Sequence, residues 1–371
     1  MNLIDKLRQK NVVDTIANTD WSVGTCNPLV VELDTTEACD MACPGCISED
    51  IMMASGRFSK QRLLEIGQEL FDAGVKAVVL IGGGEPLAHP GVGDLIQFLG
   101  AHDVHIGITT NGTFIKKHLE VIARYSKWTR VSMDAATAQT FNQLRPSKSG
   151  KSKFEFIVSN MEKLARAKQG KLGYSFLIQT PEDGAGIISN IHEIYAAAML
   201  AKEIGCDYFQ VKPSYQFRGG IDHALMVHDN SLMQQAREEI LRLDDLVTDD
   251  FSVMKAINLD YSLDGQLADQ YKSYTSCPMT ELRTLICPSG SFVCPYWRGK
   301  EHMRIGDLNV ESFAEMWSGD RRKKVMHQLN PGEDCNFHCL RHEPNLQVFE
   351  IMESIKNGES IDIIDEFDRF I

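Results

Sequence analysis

"LVVELDTTEACDMACPGC", residues 29–46, runs from an apolar, valine-rich segment straight into three cysteines. Residues 29–34 read as a β-strand. Cys39, Cys43 and Cys46 follow at its C-terminal end with the spacing C-x3-C-x2-C. In parallel α/β folds, sites are assembled at that end of a strand. Thiolates are soft ligands suited to zinc or iron–sulfur centres. A structural zinc site closes with four ligands. Three close cysteines therefore point either to a cluster with one position left open for a small molecule, or to a zinc knuckle completed by a distant Cys or His.

Working outward, short β-rich runs alternate with amphipathic helical stretches. Strands are expected at 29–34, 75–81, 104–110, 128–134, 172–180 and 207–213, with helices at 59–74, 93–102, 114–125, 154–168 and 190–205 between them. Ser59 is the expected N-cap of the first of these helices and Gly74 its stop. Such alternation implies a parallel sheet; periodicity alone leaves open whether it curls into a partial barrel or lies as a doubly wound sheet. A helix at 231–247 and a strand-like run at 251–257 lead into a Cys-, Gly- and Pro-rich region from 276.

The 371 residues are 43% hydrophobic and 24% charged, with net charge −13 and ten cysteines. The acidic balance weighs against a nucleic-acid partner, whose phosphates reward a basic face. No apolar run is long enough to span a bilayer, and residues 1–14 lack the apolar core of a secretion signal. Eight of the cysteines cluster at 39–46 and 277–339. In a chain expected to be cytoplasmic, such clusters point to metal or redox chemistry rather than disulfides.

"GGGEP", residues 82–86, ends the second expected strand. Its glycines allow close backbone approach to a bound molecule. No Lys-Ser/Thr follows, so it is not a phosphate-binding P-loop. The three-cysteine loop after strand one, with GGEP after strand two, resembles the radical S-adenosylmethionine (radical SAM) superfamily over roughly residues 29–213. The resemblance implies a partial (β/α)6 barrel. It implies that Cys39, Cys43 and Cys46 hold a [4Fe–4S] cluster whose open iron binds SAM, with Gly83, Gly84 and Glu85 receiving the SAM amino group. SAM would be cleaved to a 5′-deoxyadenosyl radical that takes a hydrogen atom from substrate. Asn111 in "TTNG", Ser132 in "SMD" and Arg145 in "LRPS" are the further cofactor-binding candidates. Many members carry an aromatic residue before the third cysteine; here it is Gly45.

Residues 277–345 resemble the SPASM and shorter twitch extensions of that superfamily. The shared pattern is a cysteine, a Pro-x-Gly hairpin ending in cysteine, Gly-Asp-Leu, a helix with Trp, then close cysteines. Five cysteines favour the twitch form with one auxiliary [4Fe–4S] cluster, held by Cys277, Cys294, Cys335 and Cys339. The final pair is C-x3-C, where C-x2-C is usual. Cys287 is left over, as an alternative ligand, a hydrogen-atom donor or an inert buried thiol.

The expected fold is therefore α/β: an extension (1–28), a radical SAM partial barrel (29–235), a linker (236–275), a small cysteine-rich twitch/SPASM-like domain (276–345) and a helical tail (346–371). The expected reaction is oxidation of a secondary alcohol on a small polar substrate (polyol, aminocyclitol, sugar or nucleotide-sugar), with the auxiliary cluster as electron acceptor. Lys212 and Cys287 are the catalytic candidates, and a flavodoxin or ferredoxin the expected reductant. Epimerisation or dehydration, with Cys287 donating hydrogen, is the first alternative. Maturation of a ribosomal peptide is the second, weighed down because only 28 residues precede strand one, too few for a winged-helix peptide-recognition domain. A non-enzymatic cluster-bearing scaffold has no use for a SAM-binding iron.

Overall fold

The computed structural model describes residues 3–371 except 23, 25, 53–55, 181–187, 214, 217–223, 226–229, 265–271, 336 and 338. Strands are β1 (Val30–Asp34), β2 (Ala77–Ile81), β3 (His105–Thr110), β4 (Ser126–Ser132), β5 (Lys171–Ile178), β6 (Tyr208–Pro213), β7 (Tyr215–Gln216), β8 (Ala224–Leu225), β9 (Ser252–Lys255), β10 (Arg283–Cys287), β11 (Gly290–Phe292) and β12 (Arg304–Gly306). Ten of them form one sheet in the order β12-β11-β10-β1-β2-β3-β4-β5-β6-β9, while β7 and β8 pair separately. From β10 through β1 to β9 all neighbours run parallel. The hairpin β10-β11 and strand β12 are antiparallel.

The six expected strands are β1–β6 in sequential order, joined by the helices Lys60–Asp72, Val92–Ala101, Leu119–Tyr125, Phe154–Ala167 and Ile194–Ile204. Ser59 caps the first of these, its Oγ accepting from Arg62 N at 3.0 Å. Leu63, Ile66 and Leu70 of that helix are buried, the spacing of a helical core face. Alternation along the strands sorts the two faces of the sheet. Val31, Leu33, Val78, Leu80, Ile106, Ile108, Tyr174, Phe176, Phe209 and Val211 join the main apolar core under the helices. The opposite face carries Glu32, Asp34, Thr109, Arg130, Ser132, Ser175, Gln210 and Lys212, so the sheet's other side is polar and forms the interior of the partial barrel.

The stretch expected as a linker supplies β9, which pairs with β6, and the cysteine-rich segment supplies β10–β12, which extend the sheet beyond β1. The sheet therefore continues across the boundary at 275/276. Edge strands with free hydrogen-bonding groups recruit such additions.

The N-terminal mouth of the barrel is stoppered. Trp128 meets Phe370 edge-on, with ring centroids 5.4 Å apart. Arg283 Nη1 donates to Ile371 O at 2.6 Å, and Lys6 Nζ to Phe370 O at 3.0 Å. The buried Gln9 amide donates to Asp368 O and accepts from the Phe367 and Asp368 amides. Tyr208 lies flat over Gly173, where a Cβ would stand 2.0 Å from the ring's Cζ. Among the described residues no helix is long and apolar enough to cross a membrane.

Candidate cluster and cofactor sites

The loop after β1 brings Cys39, Cys43 and Cys46 to the C-terminal edge of the sheet. Three donors surround their sulfurs. Met41 N donates to Cys39 Sγ at 3.5 Å, Asn111 Nδ2 stands 3.8 Å from the same sulfur, and Arg145 Nη1 is 4.0 Å from Cys43 Sγ. Burial pushes the Cys39 thiol up to about 12 and raises that of Cys43. As free thiols they stay protonated; ionisation needs a cation in their midst. A donor set of three soft sulfurs ringed by N–H groups fits an iron–sulfur cluster, because those N–H groups stabilise anionic sulfur. Among the described residues no group of three His, Cys, Asp or Glu side chains forms a single-ion site.

The Gly-Gly-Glu turn packs against this loop. Glu85 N donates to Ala38 O at 2.9 Å, and a Cβ on Gly84 would fall 2.2 Å from that same oxygen. Gly83 N donates to Asp34 Oδ2 at 2.8 Å. The Glu85 side chain is engaged within the protein. Its carboxylate accepts from Leu87 N (3.0 Å), Thr110 Oγ1 (2.6 Å) and Asn111 N (2.7 Å), tying the ends of β2 and β3 together. Burial pushes it up to about 7 against those three donors. Glu85 thus shapes the turn with its side chain.

Arg145 is likewise engaged. Its Nε donates to Asp134 Oδ2 at 2.8 Å, while Asp134 Oδ1 accepts from Leu177 N at 2.8 Å. A carboxylate of the protein thus already takes one edge of the guanidinium, and Nη1 is the atom turned to Cys43. Asp134 sits at φ +56°, a backbone region that Asp tolerates and functional sites collect. Asn111 Nδ2 also donates to Asp40 Oδ1 at 2.8 Å, and Asp40 Oδ2 is buried without a partner. Ser132 and Lys212 lie on the inner face of β4 and β6.

Cys277, Cys294, Cys335 and Cys339 gather behind β1. Each of Cys277, Cys294 and Cys335 feels the charge of Cys339, and Cys335 that of all three others. Burial pushes Cys277 up to about 11 and Cys294 up to about 12. Asn345 Nδ2 is 3.3 Å from Cys277 Sγ and Arg341 N is 3.4 Å from Cys339 Sγ. Arg341 Nη1 is buried with no hydrogen-bond partner, and its guanidinium feels Cys294, Cys339 and Cys277. Four sulfurs with an unpartnered guanidinium nitrogen among them fit an anionic cluster. His338 lies outside the described residues, and His342 stacks on Tyr274.

Cys287 stands apart. Fully buried at the end of β10, it feels chiefly Asp34, Arg298 and Glu37. Sequence reasoning missed the three ion pairs that lock the halves together. Arg298 Nε lies 2.8 Å from Asp34 Oδ2. Glu32 Oε1 pairs with Arg283 at 2.7 Å and with Arg341 at 3.0 Å. The available signal was two acidic residues on the inward positions of an otherwise apolar strand.

Residues 33–187 match the radical SAM superfamily. The chain is 33% identical over 144 residues to mycofactocin maturase MftC of Mycobacterium ulcerans, covering 38% of this chain and 37% of that protein. It is 23% identical over 320 residues to the subtilosin biosynthesis protein AlbA of Bacillus subtilis, covering 85% of this chain and 64% of AlbA. The crystal structure of Streptococcus suis SuiB bound to S-adenosylmethionine superposes with TM-score 0.59 at 15% identity, over 81% of this chain and 68% of SuiB. The chain thus spans little more than a third of the length of the mycofactocin maturase it matches. The family match takes in the last two residues of β1, the three-cysteine loop and the Gly-Gly-Glu turn, so residues 33–187 of this chain make up a radical SAM domain.

Proposed function

We propose that the chain is a radical SAM maturase of a ribosomally made peptide, holding one [4Fe–4S] cluster at Cys39, Cys43 and Cys46 and an auxiliary one at Cys277, Cys294, Cys335 and Cys339. The observation that carries the reading is the AlbA alignment, which runs over 85% of this chain. The mycofactocin maturase MftC aligns over 38% of it. The secondary-alcohol oxidation expected from the cysteine count has no comparable support among these relatives. When bound, the cluster and SAM supply reductive cleavage of SAM and a hydrogen-abstracting radical.

The chain's own residues do the rest. Asn111, Arg145 and the Met41 amide donate toward the cluster sulfurs. Gly83 and Gly84 leave backbone room for the methionyl end of SAM, and Glu85 keeps their turn in place. The stoppered barrel excludes water from the inner face where substrate hydrogen is taken. Arg341 stabilises charge among the four rear sulfurs, and its ion pair with Glu32 fixes that site to β1.

The test is 5′-deoxyadenosine formation by anaerobically reconstituted protein with SAM and dithionite. One set of reactions contains synthetic peptides from short reading frames flanking the coding sequence; the other contains polyols, aminocyclitols and nucleotide-sugars. The expected result is stimulation, with a mass change, by a peptide. Stimulation confined to the small polyols would overturn the reading.

A further inference from the structure

The barrel interior carries two cations that the fold does not neutralise. Among the described residues, four carboxylates around it are already engaged. Glu32 is shared by Arg283 and Arg341, Asp34 is held by Arg298 and the Gly83 amide, and Asp134 by Arg145 and the Leu177 amide. Glu85 is spent on three donors at the ends of β2 and β3.

Arg130, in the middle of β4, receives only neutral partners. Its Nη1 donates to Gln210 Oε1 at 2.9 Å and its Nη2 to Thr109 Oγ1 at 3.0 Å. Its Nε is buried with no partner at all. Lys212, half-buried two residues beyond Gln210 on β6, makes no hydrogen bond or ion pair with the described residues. Burial, with the charges of Arg130 and Arg145, pushes its ammonium down to about 7, with Asp134 acting the other way.

Two half-buried cations with no ion pair to the described residues are costly. Yet the arrangement holds them ready. Gln210 and Thr109 fix the guanidinium from either side, while the Tyr208 ring covers Gly173, directly beside Arg130 in the ladder. Ser132, Ser175 and Gln210 form one register row across β4, β5 and β6. Leu177 pairs with Lys212 in the next row. An anion entering from the C-terminal edge would meet Lys212 first and the Arg130 fork beneath it. A guanidinium matches the planar pair of carboxylate oxygens.

We infer that Arg130 and Lys212 form a carboxylate-binding subsite in the barrel interior that anchors the substrate. The inference rests on the maturase reading in one respect: on a peptide the ionised anion is a carboxylate, terminal or from Asp or Glu. SAM also has a carboxylate, but Arg130 lies two residues deeper in β4 than Ser132, about 7 Å further from the edge that bears the cysteine loop. The subsite therefore takes the substrate's carboxylate and leaves the methionyl end of SAM above it.

The experiment measures calorimetric binding of N-acetyl dipeptides, as free carboxylates and as carboxamides, to SAM-loaded, cluster-reconstituted protein. SAM affinity is measured in parallel on wild type, Lys212→Met and Arg130→Gln. Lys212→Met keeps the apolar stem and guards against misfolding of the deeper variant. Wild type should bind the carboxylate at least tenfold more tightly than the carboxamide. Both variants should lose that preference and keep wild-type SAM affinity. Equal affinity for the two dipeptide forms in wild type would overturn the inference. So would a preference unchanged by Lys212→Met, or a drop in SAM affinity in its place, which would assign the pair to the cofactor. The binding assay needs no turnover. If no flanking peptide is processed while the carboxylate preference holds, the maturase reading fails and the subsite stands.

Discussion

Cys39, Cys43 and Cys46 were legible as candidate ligands because they lie on one short loop, where spacing alone guarantees proximity. Cys277, Cys294, Cys335 and Cys339 come together only through the fold, and Cys287, next in sequence to that group, is drawn away to Arg298 and Asp34. Reconstituted wild type should carry about eight irons, and Cys39/Cys43/Cys46→Ala about four, as two cubane clusters require. Cys287→Ala should leave the count at about eight. Iron and acid-labile sulfide analysis checks both, and a count of about four in wild type, falling to near zero, would remove the rear cluster. The Asp34–Arg298 pair was not legible, since its members lie on β1 and past β11. Arg298→Met strands a buried carboxylate and should cost about 3–5 kcal/mol in urea unfolding. Asp34→Asn added to Arg298→Met should recover part of that loss; a double variant no more stable than the single one would deny the pair this role.

At the scale of elements, the helix over 59–74 and the order of strands β1–β6 follow from local signals: a serine cap, an apolar stripe, and valine-rich runs between helices. β4 begins two residues earlier than expected, at Ser126, and ends at Ser132, because Met133 and Asp134 turn off the strand toward Ser175 O. The stopper at the N-terminal mouth was invisible in sequence. Phe370 looks like one apolar residue in an acidic tail until Trp128, Val30 and Val79 are seen around it. Phe370→Ala should destabilise the chain by about 3 kcal/mol, read as a lowered denaturant midpoint at unchanged m-value. A shift below about 0.5 kcal/mol would mean the tail merely rests on the barrel.

For the whole molecule, His105 links the stopper to pH. The ring stands 6.2 Å from Phe370. Burial, then the charges of Arg369 and Lys127, lower its affinity for a proton to about 4, with Asp103 and Glu366 acting the other way. Unfolded histidine titrates at about 6.5. Above that pH neither state binds the proton, and stability is intact. As pH falls from about 6.5 toward about 4, the unfolded chain takes up a proton that the folded one refuses, so stability drops. His105→Gln should flatten that part of the profile. Denaturant midpoints at pH 7.5 and pH 5 for both proteins check it; parallel profiles would place the acid sensitivity elsewhere.

The sequence by itself determined the chemistry of the front loop, the parallel α/β class and the presence of a second cysteine group. These depend on residues near one another along the chain, where covalent spacing and periodicity already constrain geometry. Only the tertiary structure decided which charges meet: Glu32 with Arg341, Asp34 with Arg298, Glu85 with the end of β3, and Arg130 in no ion pair among the described residues. Those pairings depend on strand register and on the joining of β10 to β1, since a shift of one residue would turn every inward side chain to the opposite face.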